Sequence, residues 1–360
     1  FNECKASIFS SLSKTEFSEH IQKIFSSSYC DGVSFNVAFA SLINSLLGDS
    51  GVVFLYANDR RLKRLLIPLI KKEITEHPKS SQIVIERSAE LDEKYHAQIK
   101  PRPVNLFLFY NENRYAIDSI EEKFWLRGTR KYFAQEELLS MLEQTPEKFS
   151  PNVVLRPLCQ DVLLPTVAYI AGPSEIAYFA QLKPLYEYFQ IPMPIIYPRA
   201  SITIIEQRVH NVMEKFNVQT EDFFRGKDEI LQNVSKQLAE INIDEIFQHA
   251  EKEISFQLEQ VRTALQPIDS TLVAAMENAH SKIVFQLNTM KERANASTQK
   301  KYQTGLSQIE KAFHSFLPND NWQERELNSM YFLNKYGMNF LEKIQNELAP
   351  FIFHHQLIEL

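Results

Sequence analysis

Asn152-Val-Val-Leu-Arg-Pro-Leu-Cys-Gln-Asp-Val-Leu-Leu-Pro-Thr-Val-Ala-Tyr-Ile-Ala-Gly-Pro-Ser-Glu-Ile-Ala-Tyr178 is the stretch on which the fold turns. Within it, Thr166–Ala171 reads as a buried strand, and Pro173 with Glu175 close behind marks the first turn of a helix. Outward from it, Ile195–Tyr197 reads as another strand, ended by Pro198-Arg199. Upstream, Val52-Val-Phe-Leu-Tyr56 is a short apolar run of the fully buried kind, set off by the Gly48-Asp-Ser-Gly51 break. Asn58 and Asp59 can cap the helix that follows, with Leu62, Leu65, Leu66, Leu69 and Ile70 on one face. Three strands separated by helices predict an α/β protein with a parallel sheet. Val104–Tyr110, Arg114–Ile117 and Lys123–Leu126 predict an antiparallel meander inserted at about 101–133, with Asn111-Glu-Asn113 as its tight turn. Ala134–Glu143 reads as a short helix, and residues 13–47 as two more.

The second half changes character. Ile243, Phe247, Ala250, Ile254, Leu258, Val261 and Leu265 step by three and four, as do Leu272, Met276, Ala279, Ile283, Leu287, Met290 and Ala294. The pattern fades through Thr298 and resumes from Tyr302 to Phe316. Two such stripes joined by a turn bearing Pro267, with Asp269 as cap, predict an antiparallel helical hairpin. Ile246, Val273, Val284 and Phe285 widen the apolar stripes beyond what one partner covers, which predicts a homodimer through the coiled coil. Two further helices are expected around Tyr331–Leu333 and Phe340–Leu348.

Of 360 residues, 44% are hydrophobic and 23% charged, with a formal charge of −6. There is no basic field to suit nucleic acid. Cys4, Cys30 and Cys159 are far apart, and no C-x-x-C occurs, which argues against a zinc site or a disulfide framework and for a cytoplasmic setting. No apolar run has the length of a membrane span. The chain starts at Phe1 rather than Met, and reads as the later part of a longer protein.

The candidate site residues cluster around the quoted stretch. Gly172 allows close approach to the backbone, Pro173 opens the helix, and Ser174 and Glu175 offer acceptors to a hydroxyl or amine. A capped helix without a ligand explains the same residues. Tyr178 and Gln181 follow one turn apart, facing the same way or simply packed. Arg156, stiffened by Pro157, can clamp a carboxylate or pair with Asp161, and Gln160 stands one turn on. Arg199, Ser201 and Thr203 are placed where a strand is expected to give way to a helix, as anion ligands or, for Ser201, as a plain N-cap. Cys159 has no base near it in sequence and reads as a small apolar residue. Of the histidines, His249, His280 and His314 read as exposed or interfacial, and His354-His355 as surface. No Walker A loop and no G-x-G-x-x-G occurs.

Asn152–Tyr178, Pro192-Met-Pro194, Tyr197-Pro-Arg199 and Met330-Tyr-Phe-Leu-Asn-Lys-Tyr-Gly337 together resemble the cysteine-adding enzyme family of bacillithiol biosynthesis. That family shows N-V-V-x-R-P-L-x-Q-x-x-L-P-T-x-A-Y/F-I-x-G-P-x-E-I-x-Y, then P-M-P-x-x-x-P-R, then M-Y-x-L-N-x-Y-G. The resemblance implies part of a Rossmann-like parallel sheet with an antiparallel β insertion, plus a long antiparallel α-helical coiled coil that forms a homodimer. It also implies a ligase joining L-cysteine to the amine of glucosaminyl-malate, with ATP as activator. Substrate contacts would then fall to Arg156, Gln160, Gly172, Pro173, Ser174, Glu175, Tyr178, Gln181, Arg199 and Ser201. The T-G-Q-Q segment and the nucleotide-motif stand-in of full members are absent, so the resemblance covers the later two-thirds of a member. The expected segments are a helical 1–50, a Rossmann-like core half at 51–205, a coiled-coil hairpin at 206–318 and a helical 319–360. A non-enzymatic coiled-coil scaffold with an α/β head explains the heptads but leaves the polar residues from Arg156 to Tyr178 without a purpose. A tRNA-binding synthetase relative is disfavoured by the acidic balance.

Overall fold

The computed structural model describes residues 2–48, 50–120, 123–238 and 243–360. Asp49 of the expected break, and residues 239–242 of the expected hairpin segment, lie outside the described residues. The chain forms two compact units, Phe1–Ala200 with Ala349–Phe353, and Ser201–Leu348 with His354–Leu360.

The first unit opens with helices α1 (Asn2–Ser11), α2 (Ser18–Ser28) and α3 (Phe35–Leu47). Val52–Tyr56 departs from expectation, because it forms no strand and Val53 is 88% exposed. Apolar character favours a ladder only where a neighbouring strand offers one, and no described strand pairs with this run. Asp59 caps α4 (Arg60–Leu65) as expected, its Oδ1 accepting the Arg61 N–H at 2.8 Å. Then come α5 (Ile67–Thr75) and α6 (Lys79–Asp92), the latter not anticipated.

The meander is present as β1 (Leu106–Tyr110), β2 (Asn113–Ile120) and β3 (Lys123–Leu126). Tyr110 pairs with Asn113 across a two-residue turn in which Asn111 and Glu112 have φ of 47° and 65°. That is the mirror-image turn whose twist matches a hairpin. β4 (Tyr132–Ala134), α7 (Gln135–Gln144) and β5 (Phe149–Pro151) follow, giving the antiparallel order β4-β3-β2-β1-β5. Leu106, Leu108, Ile117 and Phe124 of this sheet share one core with Ile70 and Ile74 of α5 and with Leu138 and Leu142 of α7. Each fully buried side chain of this size contributes about 1.5–3 kcal/mol.

The decisive stretch holds α8 (Arg156–Leu163), β6 (Ala168–Ala171) and the start of α9 (Pro173–Phe189), with β7 (Ile195–Pro198) next. β6 and β7 pair in parallel, Ala168 with Ile195 through Ala171 with Pro198. The expected three-stranded parallel sheet is thus two described strands. β6 was expected to be buried, yet Ile170 is 58% exposed.

In the second unit Ser201–Thr203 does not open a helix. β8 (Ile202–Ile205) forms instead, and pairs in parallel with β9 (Gln356–Glu359). α10 (Gln207–Phe216), α11 (Thr220–Arg225) and α12 (Lys227–Leu238) precede the hairpin. The hairpin is α13 (Ile243–Leu265) and α14 (Ser270–Phe316), the latter one helix of 47 residues through Thr298. Asp269 caps α14 as expected, accepting the Thr271 N–H at 2.8 Å. Half-buried along α14 are Val273, Met276, His280, Val284 and Leu287, whereas Leu272, Ile283, Phe285 and Met290 are exposed. Val273 and Val284, expected in the surplus stripe, have thus changed places with Leu272 and Ile283. The far end of α14 joins Phe216, Phe223 and Val234 in a separate core through Ile309, Phe313 and Phe316. α15 (Gln323–Glu326) and the two expected helices α16 (Ser329–Tyr336) and α17 (Asn339–Glu347) complete the unit. No helix among the described residues is long and apolar enough to cross a membrane.

Candidate functional site

The first unit gathers Arg156, Tyr169, Glu175 and Tyr178 into one polar cluster. Arg156 is the first residue of α8, where Pro157 is tolerated because the N–H it lacks would have no helical partner. Tyr169 and Ala171 share the inward face of β6, as the two-residue period of a strand requires. Glu175 and Tyr178 are one turn apart on α9. The Arg156 Nη2 donates to the Tyr169 hydroxyl at 3.0 Å and to the Tyr178 hydroxyl at 3.2 Å. Both hydroxyls in turn donate to Glu175 Oε1, at 2.7 and 3.4 Å. Glu175 Oε2 accepts the Gly172 N–H at 2.9 Å, which caps α9. The helix-cap reading of Glu175 is therefore realised, and the Gly172 N–H is occupied by it.

The electrostatics follow from these bonds. Burial works against the Glu175 carboxylate, but the Gly172 N–H, the Tyr169 hydroxyl and the Arg156 charge outweigh it and hold its pKa below the usual range. Burial pushes the Tyr169 phenol up to about 12, so it stays a donor at neutral pH. The Arg156 and Glu175 side chains remain 47% and 36% exposed, so the cluster is open to a ligand. A guanidinium beside two phenols and a carboxylate can grip a carboxylate or a hydroxyl-rich polar group.

The other expected residues divide. Pro173 and Ser174 are exposed at the start of α9, and Gln160 is half-buried one turn beyond Arg156. Gln181 is fully buried: its Oε1 accepts the Gln98 and Ile99 N–H groups at 2.9 and 3.1 Å, and its Nε2 donates to the Ser88 hydroxyl at 2.7 Å. The Arg199 N–H donates to the Ala171 carbonyl at 2.8 Å, placing that residue at the end of the β6–β7 pair. Asp161 does not pair with Arg156; it accepts the Tyr186 hydroxyl at 2.5 Å. Cys159 is buried, and burial pushes its thiol up to about 12. Tyr169 was not singled out in the sequence, though its place two residues before the strand end aims it at the helix start.

Ser201 belongs to the second unit. Its hydroxyl lies 2.8 Å from His355 Nδ1, and His355 Nε2 lies 2.9 Å from the Thr203 hydroxyl, with the Trp322 ring 4.4 Å from the imidazole. His355 is thus half-buried rather than a surface residue. The 330–337 motif surrounds a different carboxylate, Glu206, which is 1% exposed. Glu206 accepts the Tyr331 hydroxyl at 2.6 Å, pairs with Lys335, and lies 3.3 Å from Arg208 Nε.

Comparison with known proteins places the chain. Residues 1–200 match the family described as bacillithiol biosynthesis BshC, N-terminal Rossmann-like domain, and residues 202–360 match its C-terminal coiled-coil domain. A protein of Salinibacter ruber named "Putative cysteine ligase BshC" is 35% identical over 96% of this chain and 64% of its own length. Proteins of the same name from Chlorobaculum tepidum and Chloroherpeton thalassium are 33% and 32% identical, over 97% and 98% of this chain and 65% and 64% of theirs. The chain therefore spans a little under two-thirds of the length of the curated relatives it matches. Its fold is Rossmann-like in the first unit and coiled-coil in the second, with an antiparallel β insertion, and the chain belongs to the BshC family.

Proposed function

We propose that the protein is a cysteine ligase of bacillithiol biosynthesis. In this reading it joins the carboxyl carbon of L-cysteine to the amine of glucosaminyl-malate, forming an amide as the carboxyl C–O bond breaks and the amine gives up a proton, a net loss of water, in the cytoplasm and as a homodimer. The observation that carries the reading is the Arg156–Tyr169–Glu175–Tyr178 cluster, which lies within the Asn152–Tyr178 stretch and the Rossmann-like domain match.

The chemistry asks for an acceptor and donor set that holds both partners close and in line, because orientation supplies much of the rate. Arg156 grips a substrate carboxylate, such as that of the malate group, through the guanidinium edge turned away from the two phenols. Tyr169 and Tyr178 hold that guanidinium in place. Glu175 fixes the phenols, and offers its remaining oxygen capacity to an amine or hydroxyl. Arg199 binds an anionic group at the end of the β6–β7 pair, Ser201 binds one separately in the second unit, and Gln160, Pro173 and Ser174 contact substrate at the margin of the cluster. Gly172 and Gln181 support the cluster through the α9 cap and the buried contacts of α9. ATP enters through the family alone, as the co-substrate that would activate the cysteine carboxyl, and no residue of this chain is assigned to it.

Thiol analysis of a strain lacking the full-length gene tests the reading. Loss of bacillithiol with accumulation of glucosaminyl-malate is expected; unchanged bacillithiol with no accumulation would sink it.

A further inference from the structure

Resting on the reading of Arg156 as a substrate ligand, we infer that Asn152 and Asn105 are positioning residues that set where Arg156 stands. Three consecutive N–H groups enter α8 on Asn152 alone. Its Oδ1 accepts the Val154 and Leu155 N–H groups at 2.9 and 3.3 Å, and its carbonyl accepts that of Arg156 at 2.9 Å. Asn152 therefore fixes the first turn of the helix whose first residue is Arg156.

Asn152 is itself held from behind. Its Nδ2 donates to Asn105 Oδ1 at 2.7 Å, and its N–H donates to the Asn105 carbonyl at 3.0 Å. Asn105 is fully buried and every polar group of it is engaged. Its N–H donates to Glu73 Oε1 at 2.8 Å, and its Nδ2 donates to the Ser80 and Ser81 hydroxyls at 3.1 and 2.8 Å. Glu73, 2% exposed on α5, also accepts the Ser80 hydroxyl at 3.0 Å. A continuous chain thus runs from α5 and α6 through Asn105 and Asn152 to the backbone of Arg156.

Such a chain is stiff because every buried member is satisfied. An apolar contact would hold α8 against the core, but would leave the helix free to slide or turn by a fraction of a residue. The amide pair removes that freedom. Arg156 Nη2 then meets two hydroxyls at 3.0 and 3.2 Å, a fit that small rotations of α8 would break.

The test is a double-mutant cycle in the full-length protein, reading affinity for glucosaminyl-malate by titration calorimetry together with Tm. Arg156→Ala alone is expected to weaken binding by tenfold or more. Asn152→Ala is expected to weaken it by about tenfold, and Asn152→Ala with Arg156→Ala to be no weaker than Arg156→Ala, since residues acting through one contact couple. Asn152→Ser keeps a capping oxygen and the backbone bond to the Asn105 carbonyl but loses the side-chain bond to Asn105 Oδ1; it guards against loss of folding and is expected to show the same coupling. Additive losses in both cycles, or full affinity in a folded Asn152→Ser variant, would overturn the positioning role. Unchanged affinity in Arg156→Ala would instead overturn the substrate-ligand reading beneath it, and the positioning role with it.

Discussion

Arg156 and Glu175 face each other at 3.8 Å without a direct hydrogen bond, joined by the hydroxyls of Tyr169 and Tyr178. A bidentate ion pair would commit two guanidinium nitrogens and both carboxylate oxygens. With the phenols between them, one nitrogen of the guanidinium is committed and the rest of the group stays open.

Replacing Arg156 by Ala is therefore expected to cost binding far more than stability. Losing an arginine contact to a substrate carboxylate typically costs about 2–5 kcal/mol. Glu175→Ala loses a helix cap as well, worth about 1 kcal/mol. In the full-length protein, Arg156→Ala should keep its Tm while its affinity for glucosaminyl-malate falls, and Glu175→Ala should lose some of both. Early unfolding of Arg156→Ala would mean that the cluster only holds the fold.

His355 should make the second unit sensitive to acid. Burial depresses its pKa below 6.5, against a smaller opposite pull from Glu324. The folded state then binds fewer protons than the unfolded state in the window below pH 6.5. Its contribution to stability is fully present above that value and declines as pH falls toward the folded pKa. Urea unfolding at pH 7.5 and 5.5 should show wild type losing stability relative to His355→Gln. An equal loss in both would refute the effect.

Thiol reactivity should separate the three cysteines. Cys4 and Cys30 are exposed, while Cys159 is buried with its thiol held near 12. The thiolate is the reactive form. Iodoacetamide at pH 8 should label Cys4 and Cys30 in the folded protein, and Cys159 only after denaturation, as peptide mass mapping will show.

The proposed dimer now has a sharper test. Val284 is half-buried on the hairpin, so a charge there would damage the hairpin itself. Phe285 and Met290 are 67% and 55% exposed. Replacing both by Asp should give a folded monomer at micromolar concentration by sedimentation. A monomeric wild-type protein would refute the dimer.

What the sequence revealed depended on how local each signal was. The stripes of α13 and α14 were legible because three- and four-residue spacing is internal to a helix. Whether Ile283 or Val284 turns inward was not, since both are apolar neighbours and only the opposing helix decides. β9 went unseen because a four-residue strand has meaning only beside β8, about 150 residues earlier in the chain. α8 was hidden by Arg156-Pro157, which resembles a break but is a permitted helix start. In the site, Glu175 and Tyr178 could be paired by helical spacing. Tyr169 joined them only once β6 had turned its alternate side chains toward α9.

The 47 residues of α14 make it about 70 Å long at 1.5 Å per residue. One end is rooted among Phe223, Phe313 and Phe316, and the other pairs with α13. Geometry then turns it into a lever. A tilt of about one degree where Phe316 is seated would move the opposite end by roughly 1 Å. Small rearrangements of that aromatic root would thus be read out, magnified, at the distant turn around Pro267.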